Sequence, residues 1–155
     1  MHHGNGTQDV FWEDDQVGFF SSHRVPFYPG SGKADETGAR RGLGWTCNLP
    51  LPGKVTRDEF FQQFTQSVEK FADFVKPQLI LLSAGFDAHV DDPVGGLCLQ
   101  EQDFAELTQL VSAIAHTHCQ GRIVSLLEGG YHLQHMSLSA MAHLQALHET
   151  GSNQA

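Results

Sequence analysis

Two short runs constrain this chain most: 79–84, Leu-Ile-Leu-Leu-Ser-Ala, and 123–127, Ile-Val-Ser-Leu-Leu, each apolar but for one serine. Uninterrupted apolar runs of this length, stopped by Gly85-Phe86-Asp87 and by Glu128-Gly129-Gly130-Tyr131, fit parallel strands covered on both faces. Each follows a stretch of helical periodicity. Phe60, Phe64, Val68, Phe71 and Val75 make one apolar stripe, and Phe104, Leu107, Val111 and Ile114 make another. Strand, helix, strand, helix in that order implies βαβ units and an α/β sandwich with a mainly parallel sheet.

The remaining elements follow from local signals. Thr56-Arg57-Asp58-Glu59 has capping-box spacing ahead of the first stripe, and Pro77 ends it. Gly121 stands where a helix-ending glycine belongs. Short strands are expected at 17–22 and 45–51, the second ended by Pro50 and Pro52, with a long Gly- and Pro-rich loop at 26–44 between them. His2-His3-Gly4-Asn5-Gly6-Thr7 reads as a tight polar loop, and a last helix is expected over about 137–148, with a frayed tail over about 149–155. One domain over 1–155 is the simplest organisation.

Composition narrows the function. Nine Lys and Arg against 18 Asp and Glu give a formal charge of −9, which disfavours direct nucleic-acid binding and suits a cationic partner such as a lysine-rich tail or a polyamine. Three cysteines without a Cys-x-x-Cys pair argue against a disulfide framework and for a reducing compartment, cytoplasmic or nuclear. No apolar stretch approaches a membrane span. No Gly-x-Gly-x-x-Gly follows a strand and no Walker loop is present, against a nucleotide-binding domain.

Ligands of open parallel sheets bind at the carboxyl ends of the strands. The His2-His3 loop, Asp87 and Tyr131 sit at or beside such ends. An imidazole and a carboxylate can both bind zinc. Spacing alone leaves open that His2 is a terminal residue and that Asp87 caps a turn. A phenol on a diglycine turn can donate to a developing oxyanion, or can be an aromatic packing residue. His116 and His118 read as surface residues near a helix end; His89, His132 and His135 flank the candidate loops.

Four motifs occur in order: His2-His3-Gly4-Asn5-Gly6-Thr7-Gln8; Ser22-His23-Arg24 followed by Phe27-Tyr28-Pro29-Gly30-Ser31-Gly32; Ser83-Ala84-Gly85-Phe86-Asp87-Ala88; and Leu127-Glu128-Gly129-Gly130-Tyr131. Together they resemble the histone deacetylase, acetoin-utilisation and acetylpolyamine amidohydrolase superfamily, in its class II and bacterial form, from residue 2 to about 148. The resemblance implies a three-layer, arginase-like α/β sandwich with a mainly parallel central sheet. It implies Zn2+ held by His2 and Asp87, an oxyanion-stabilising Tyr131 on the Gly129-Gly130 turn, and an acetyl-lysine channel walled by Tyr28 with Val94 at its rim. It further implies a structural monovalent cation, K+, at Ser21, and a second near Phe11, Asp14 and Val17. The expected reaction is hydrolysis of an acetyl amide, on an acetylated protein or an acetylated polyamine.

In one respect the chain departs from that pattern. The family's first loop reads Asp-x-His-His-Gly, and Met1 stands at the x position. The aspartate ligand and the general-base histidine pair would lie upstream of the residues present. Little or no catalysis is therefore expected of the 155-residue chain by itself. The alternative is a non-catalytic module that keeps the acetyl-lysine groove.

Overall fold

The computed structural model describes residues 1–152. They divide into two compact units, His2–Val75 and the residues from Lys76 onward, to which Met1 belongs.

In the first unit, helix α1 spans Asn5–Val10, strand β1 Phe19–Val25, a single 3-10 turn Arg40–Gly42, strand β2 Thr46–Pro52 and helix α2 Arg57–Val75. Strands β1 and β2 pair in parallel, Phe19 opposite Thr46 through Val25 opposite Pro52. The pairing runs through Pro50, so only Pro52, and not Pro50 as expected, ends that strand. Helix α2 starts as its capping box dictates: the Thr56 N–H and hydroxyl donate to Glu59 Oε2 at 2.9 and 2.8 Å, and the Glu59 N–H returns to Thr56 Oγ1. Its stripe packs on β1, with the Phe20 ring 5.6 Å from that of Phe64, which stacks on Phe60. Leu51 and Phe60 are buried in this core.

Of the polar loop expected at 2–7, residues 5–7 are instead the first turn of α1. Asn5 and Gly6 are poor helix formers; bonds to Gln8, one of them from Asn48 across 40 positions, offset them. The Gln8 N–H donates to Gly4 O at 3.0 Å, and the Gln8 side chain is fixed by His3.

In the second unit, strand β3 spans Ile80–Ala84, helix α3 Glu101–Cys119, strand β4 Ile123–Leu127 and helix α4 Leu133–Ser152. This is the expected βαβ unit: β3 and β4 pair in parallel, Ile80 opposite Ile123 through Ala84 opposite Leu127. Helices α3 and α4 pack together, over a core of Phe86, Phe104, Val111, Ile114, Ala115 and Ala146. Helix α3 is ended by Gly121 as expected: the glycine, at φ 74°, donates its N–H to Ala115 O, and Gln120 before it is also left-handed at φ 56°. Two expectations change. Burial alternates along β3, and along β4 as far as Leu126, and Leu81 is 67% exposed, so among the described residues only one face of this strand pair is covered. Helix α4 starts four residues earlier than expected and runs through Gly151; residues 153–155 of the expected tail lie outside the described residues.

Candidate functional site

Asp87 lies just past the end of β3. It is buried, 3% exposed, and its Oδ1 lies 3.1 Å from the α-ammonium of Met1. Two glycines line the same carboxylate. A Cβ at Gly129 would stand 2.7 Å from Asp87 Oδ2, and one at Gly85 would stand 3.3 Å from Oδ1. The carboxylate thus has a cation at one oxygen and, close against the other, a glycine that no residue with a side chain could replace. This is a donor setting that fits a divalent ion.

Tyr131 follows the diglycine after β4. The turn is tied to the Asp87 loop through the backbone: the Phe86 N–H donates to Gly129 O at 2.7 Å, and the Glu128 N–H to Ala84 O at 3.0 Å. Gly130 has φ 147°, which disfavours any side chain there. Tyr131 is 50% exposed, so an incoming group can reach the residue. Asp87, Gly129, Gly130 and Tyr131 are therefore brought together in one unit. Val94 stands exposed on the same unit, on the loop after Asp87.

That loop holds a residue sequence reasoning missed. Asp92, 8% exposed, accepts four backbone N–H groups: Val94 at 2.9 Å and Gly95 at 2.8 Å on Oδ1, Tyr131 at 2.7 Å and His132 at 3.3 Å on Oδ2. Burial pushes its carboxyl upward, but the four donors outweigh that and hold it below the ordinary carboxylate value. The local half of this was signalled by Asp92-Pro93-Val94-Gly95, a type I turn pattern with Asp first, Pro second and Gly fourth.

The flanking histidines form a group of their own. The rings of His89 and His135 stack 4.3 Å apart, and His132 lies 4.3 Å from His135. His135 Nδ1–H donates to Glu101 Oε1 at 2.6 Å, a bond that holds the Glu101 carboxyl below its usual value. Ligand atoms of His89, Asp91 and His135 lie within 4.8 Å of one another. The Asp91 N–H donates to His89 Nδ1 at 3.1 Å, which places the proton of neutral His89 on Nε2, facing Glu101 Oε1 at 3.5 Å. As arranged, His89 offers a donor rather than a lone pair, so the trio presents two metal-ready atoms and not three.

In the other unit, His2 lies against Phe27 and against Tyr28, the residue expected to wall a channel. Its ring is 5.3 Å from Phe27 and 6.3 Å, edge-on, from the exposed Tyr28. His3 beside it is locked. Its Nε2–H donates to Gln8 Oε1 at 3.0 Å, and its Nδ1 accepts from the Ser31 hydroxyl at 2.8 Å. Gln8 Oε1 also accepts from Asn48 Nδ2 at 2.7 Å, and Gln8 Nε2 donates to Glu36 Oε2 at 2.9 Å. Burial pushes the Glu36 carboxyl upward, while the Gln8 amide and other donors bring it below its ordinary value. Ser21 donates its hydroxyl to His23 Nδ1 at 3.0 Å, and His23 Nε2–H donates to Gly32 O at 2.8 Å; burial holds this imidazole below its usual value. Phe11 O, expected near a second cation, accepts the Asp14 N–H at 3.1 Å.

Against known families, residues 1–147 match the histone deacetylase domain. The chain belongs to the histone deacetylase family. It is similar to a probable deacetylase of Archaeoglobus fulgidus, at 41% identity over 133 residues, covering 86% of this chain and 37% of that protein. It is also similar to the chloroplastic histone deacetylase 14 of Arabidopsis thaliana, at 41% identity, covering 95% of this chain and 35% of that protein. Among solved structures it resembles the HD domain of HDA15, with TM-score 0.87 and 37% identity over 94% of this chain and 41% of that one. It also resembles the acetylpolyamine aminohydrolase of Burkholderia pseudomallei, with TM-score 0.86 and 32% identity over 95% of this chain and 42% of that one. The α/β architecture with parallel strands is thus that of deacetylases, and the chain spans well under half the length of these relatives.

Proposed function

We propose that this chain carries the oxyanion-stabilising and part of the zinc-binding machinery of a deacetylase that hydrolyses the acetyl amide of acetyl-lysine on a protein. The observation that carries the reading is the buried Asp87 carboxylate, cradled by Gly85 and Gly129 on the turn that presents Tyr131. His2 and Asp87 are assigned as zinc ligands. Bound Zn2+ would supply Lewis-acid polarisation of the acetyl carbonyl and a nucleophilic water near neutral pH. The chain's own residues do the rest that falls to it. Tyr131 donates a hydrogen bond to the carbonyl oxygen as negative charge develops there. The missing side chains of Gly129 and Gly130 let the acetyl group approach. Tyr28 and Val94 contact the lysine stem, and Ser21 is assigned to a structural monovalent cation. The general base is assigned to residues outside this chain, so slow or absent turnover is expected of the chain alone; loss of a base typically costs about 10² to 10⁴ in rate.

An acetylated polyamine is the second substrate reading. The net charge of −9 favours a polycationic substrate electrostatically, and one structural relative is named an acetylpolyamine aminohydrolase.

Calorimetric titration of Zn2+ into the purified chain tests the assignment. One site is expected, abolished by Asp87→Ala, weakened by His2→Ala and unaffected by His135→Ala. Zinc binding that survives Asp87→Ala but is lost with His135→Ala would overturn it. A fluorogenic acetyl-lysine peptide and acetylspermidine, assayed side by side with zinc, separate the two substrate readings in any longer form that turns over.

A further inference from the structure

We propose that Asp92 is the positioning residue for Tyr131, its carboxylate setting where the phenol stands by gripping the backbone of the turn that carries it. This rests on the assignment of Tyr131 above. Each oxygen serves a different stretch of chain: Oδ1 closes the loop at Val94 and Gly95, and Oδ2 takes the N–H groups of Tyr131 and His132. The turn needs such a grip. Two glycines precede Tyr131, Gly130 at φ 147°, and glycine leaves the backbone freer than any other residue. The residue is half exposed, so packing around it does little to fix the hydroxyl. The same loop reaches the residue assigned to zinc, since the Gly96 N–H donates to Asp87 O at 3.0 Å. One short loop therefore sets the backbone of the carboxylate that would bind the metal and of the phenol that would meet the substrate. Charge-assisted bonds from N–H groups to an ionised carboxylate are the strong kind, and four of them on one buried group resist displacement by water.

The test uses the whole 155-residue chain and the variants Asp92→Ala, Asp92→Asn and Tyr131→Phe. Amide hydrogen exchange reports the grip, and NMR of ring-labelled tyrosine reports the phenol; Tyr131→Phe tells its signals from those of Tyr28. Asp92→Ala is expected to speed exchange at 94, 95, 131 and 132 at least tenfold while the amides of α3 keep their protection, and to move the Tyr131 ring signals toward averaged values with those of Tyr28 unmoved. Asp92→Asn, which keeps one acceptor oxygen, should rescue one of the two amide pairs, and it decides the matter if the alanine variant does not fold. Unchanged exchange at 131 and 132 in a folded variant overturns the grip. Titration with an acetyl-lysine peptide reads the consequence: Asp92→Ala and Tyr131→Phe should each weaken binding, and the double variant no further than the worse of the two. Full additivity overturns the positioning role. If Tyr131→Phe leaves peptide binding unchanged while exchange responds to Asp92, the assignment of Tyr131 is what fails.

Discussion

The two groups of candidate residues, one in each unit, are held by opposite means. Around His2 and His3, rigidity is spread over a mesh of side chains, with His3, Ser31, Gln8, Asn48 and Glu36 bonded to one another. Around Tyr131 it is concentrated in one carboxylate receiving four backbone donors. A mesh has alternative partners when one member is removed: Asn48 Nδ2, for instance, also donates to Glu36 O at 3.1 Å. A single carboxylate concentrates the loss, since its removal leaves four buried or part-buried main-chain donors without their acceptor at once.

The largest effect should come from breaking the concentrated side. Asp92→Ala is expected to lower the unfolding free energy by about 3 kcal/mol, the scale of losing a buried charged hydrogen-bond network, read from urea denaturation. Removing one node of the mesh should cost less. Gln8→Ala is expected to cost about 1–2 kcal/mol, and combining it with Asn48→Ala should cost less than the sum of the two, because they share a bond. Equal losses for Asp92→Ala and Gln8→Ala would erase the contrast. An exposed helix cap that belongs to neither network sets the baseline: Thr56→Ala should cost about 1 kcal/mol.

The smallest change is a gradual one with pH. His143 is buried in the Tyr131-bearing unit, donating through Nδ1–H to Thr108 Oγ1 at 2.6 Å and accepting from the Ser125 hydroxyl at 2.8 Å. Burial holds its pKa below the ordinary 6.5. The unfolded chain takes up this proton near 6.5, and the folded chain only at lower pH. The contribution to stability is therefore complete above 6.5 and declines as pH falls from there through the folded value. Denaturation midpoints at pH 7.5 and 5.5 should differ less in His143→Gln than in the parent. An undiminished difference would place the acid sensitivity elsewhere.

The elements of the fold were legible where one local signal sufficed. The apolar runs gave β3 and β4 because covering even one face of such a strand demands them, and Thr56 with Glu59 marked the start of α2. Legibility failed where a distant partner decides. Helix α1 reads as a loop until Gln8 is seen clasped by His3 and Asn48. The exposed face at Leu81 reads as covered, because an apolar run does not state how many layers stand over it. The site divides the same way. The motifs pointed to Asp87, Gly129, Gly130 and Tyr131, and the structure brings these four together. Asp92 was half visible, since its turn with Pro93 and Gly95 is local, but its bond to the Tyr131 N–H spans 39 positions, and no spacing rule announces such a contact.

Position 131 is held by its peptide group, while the residue stands half in solvent. What grips the turn is therefore indifferent to which side chain the residue carries. A lineage descended from this chain could exchange the phenol for another group and lose the role proposed for it while its architecture passed on intact. At this position the inheritance of shape and the inheritance of reactivity are separable, and an intact turn in a relative is no warrant that the reaction has been kept.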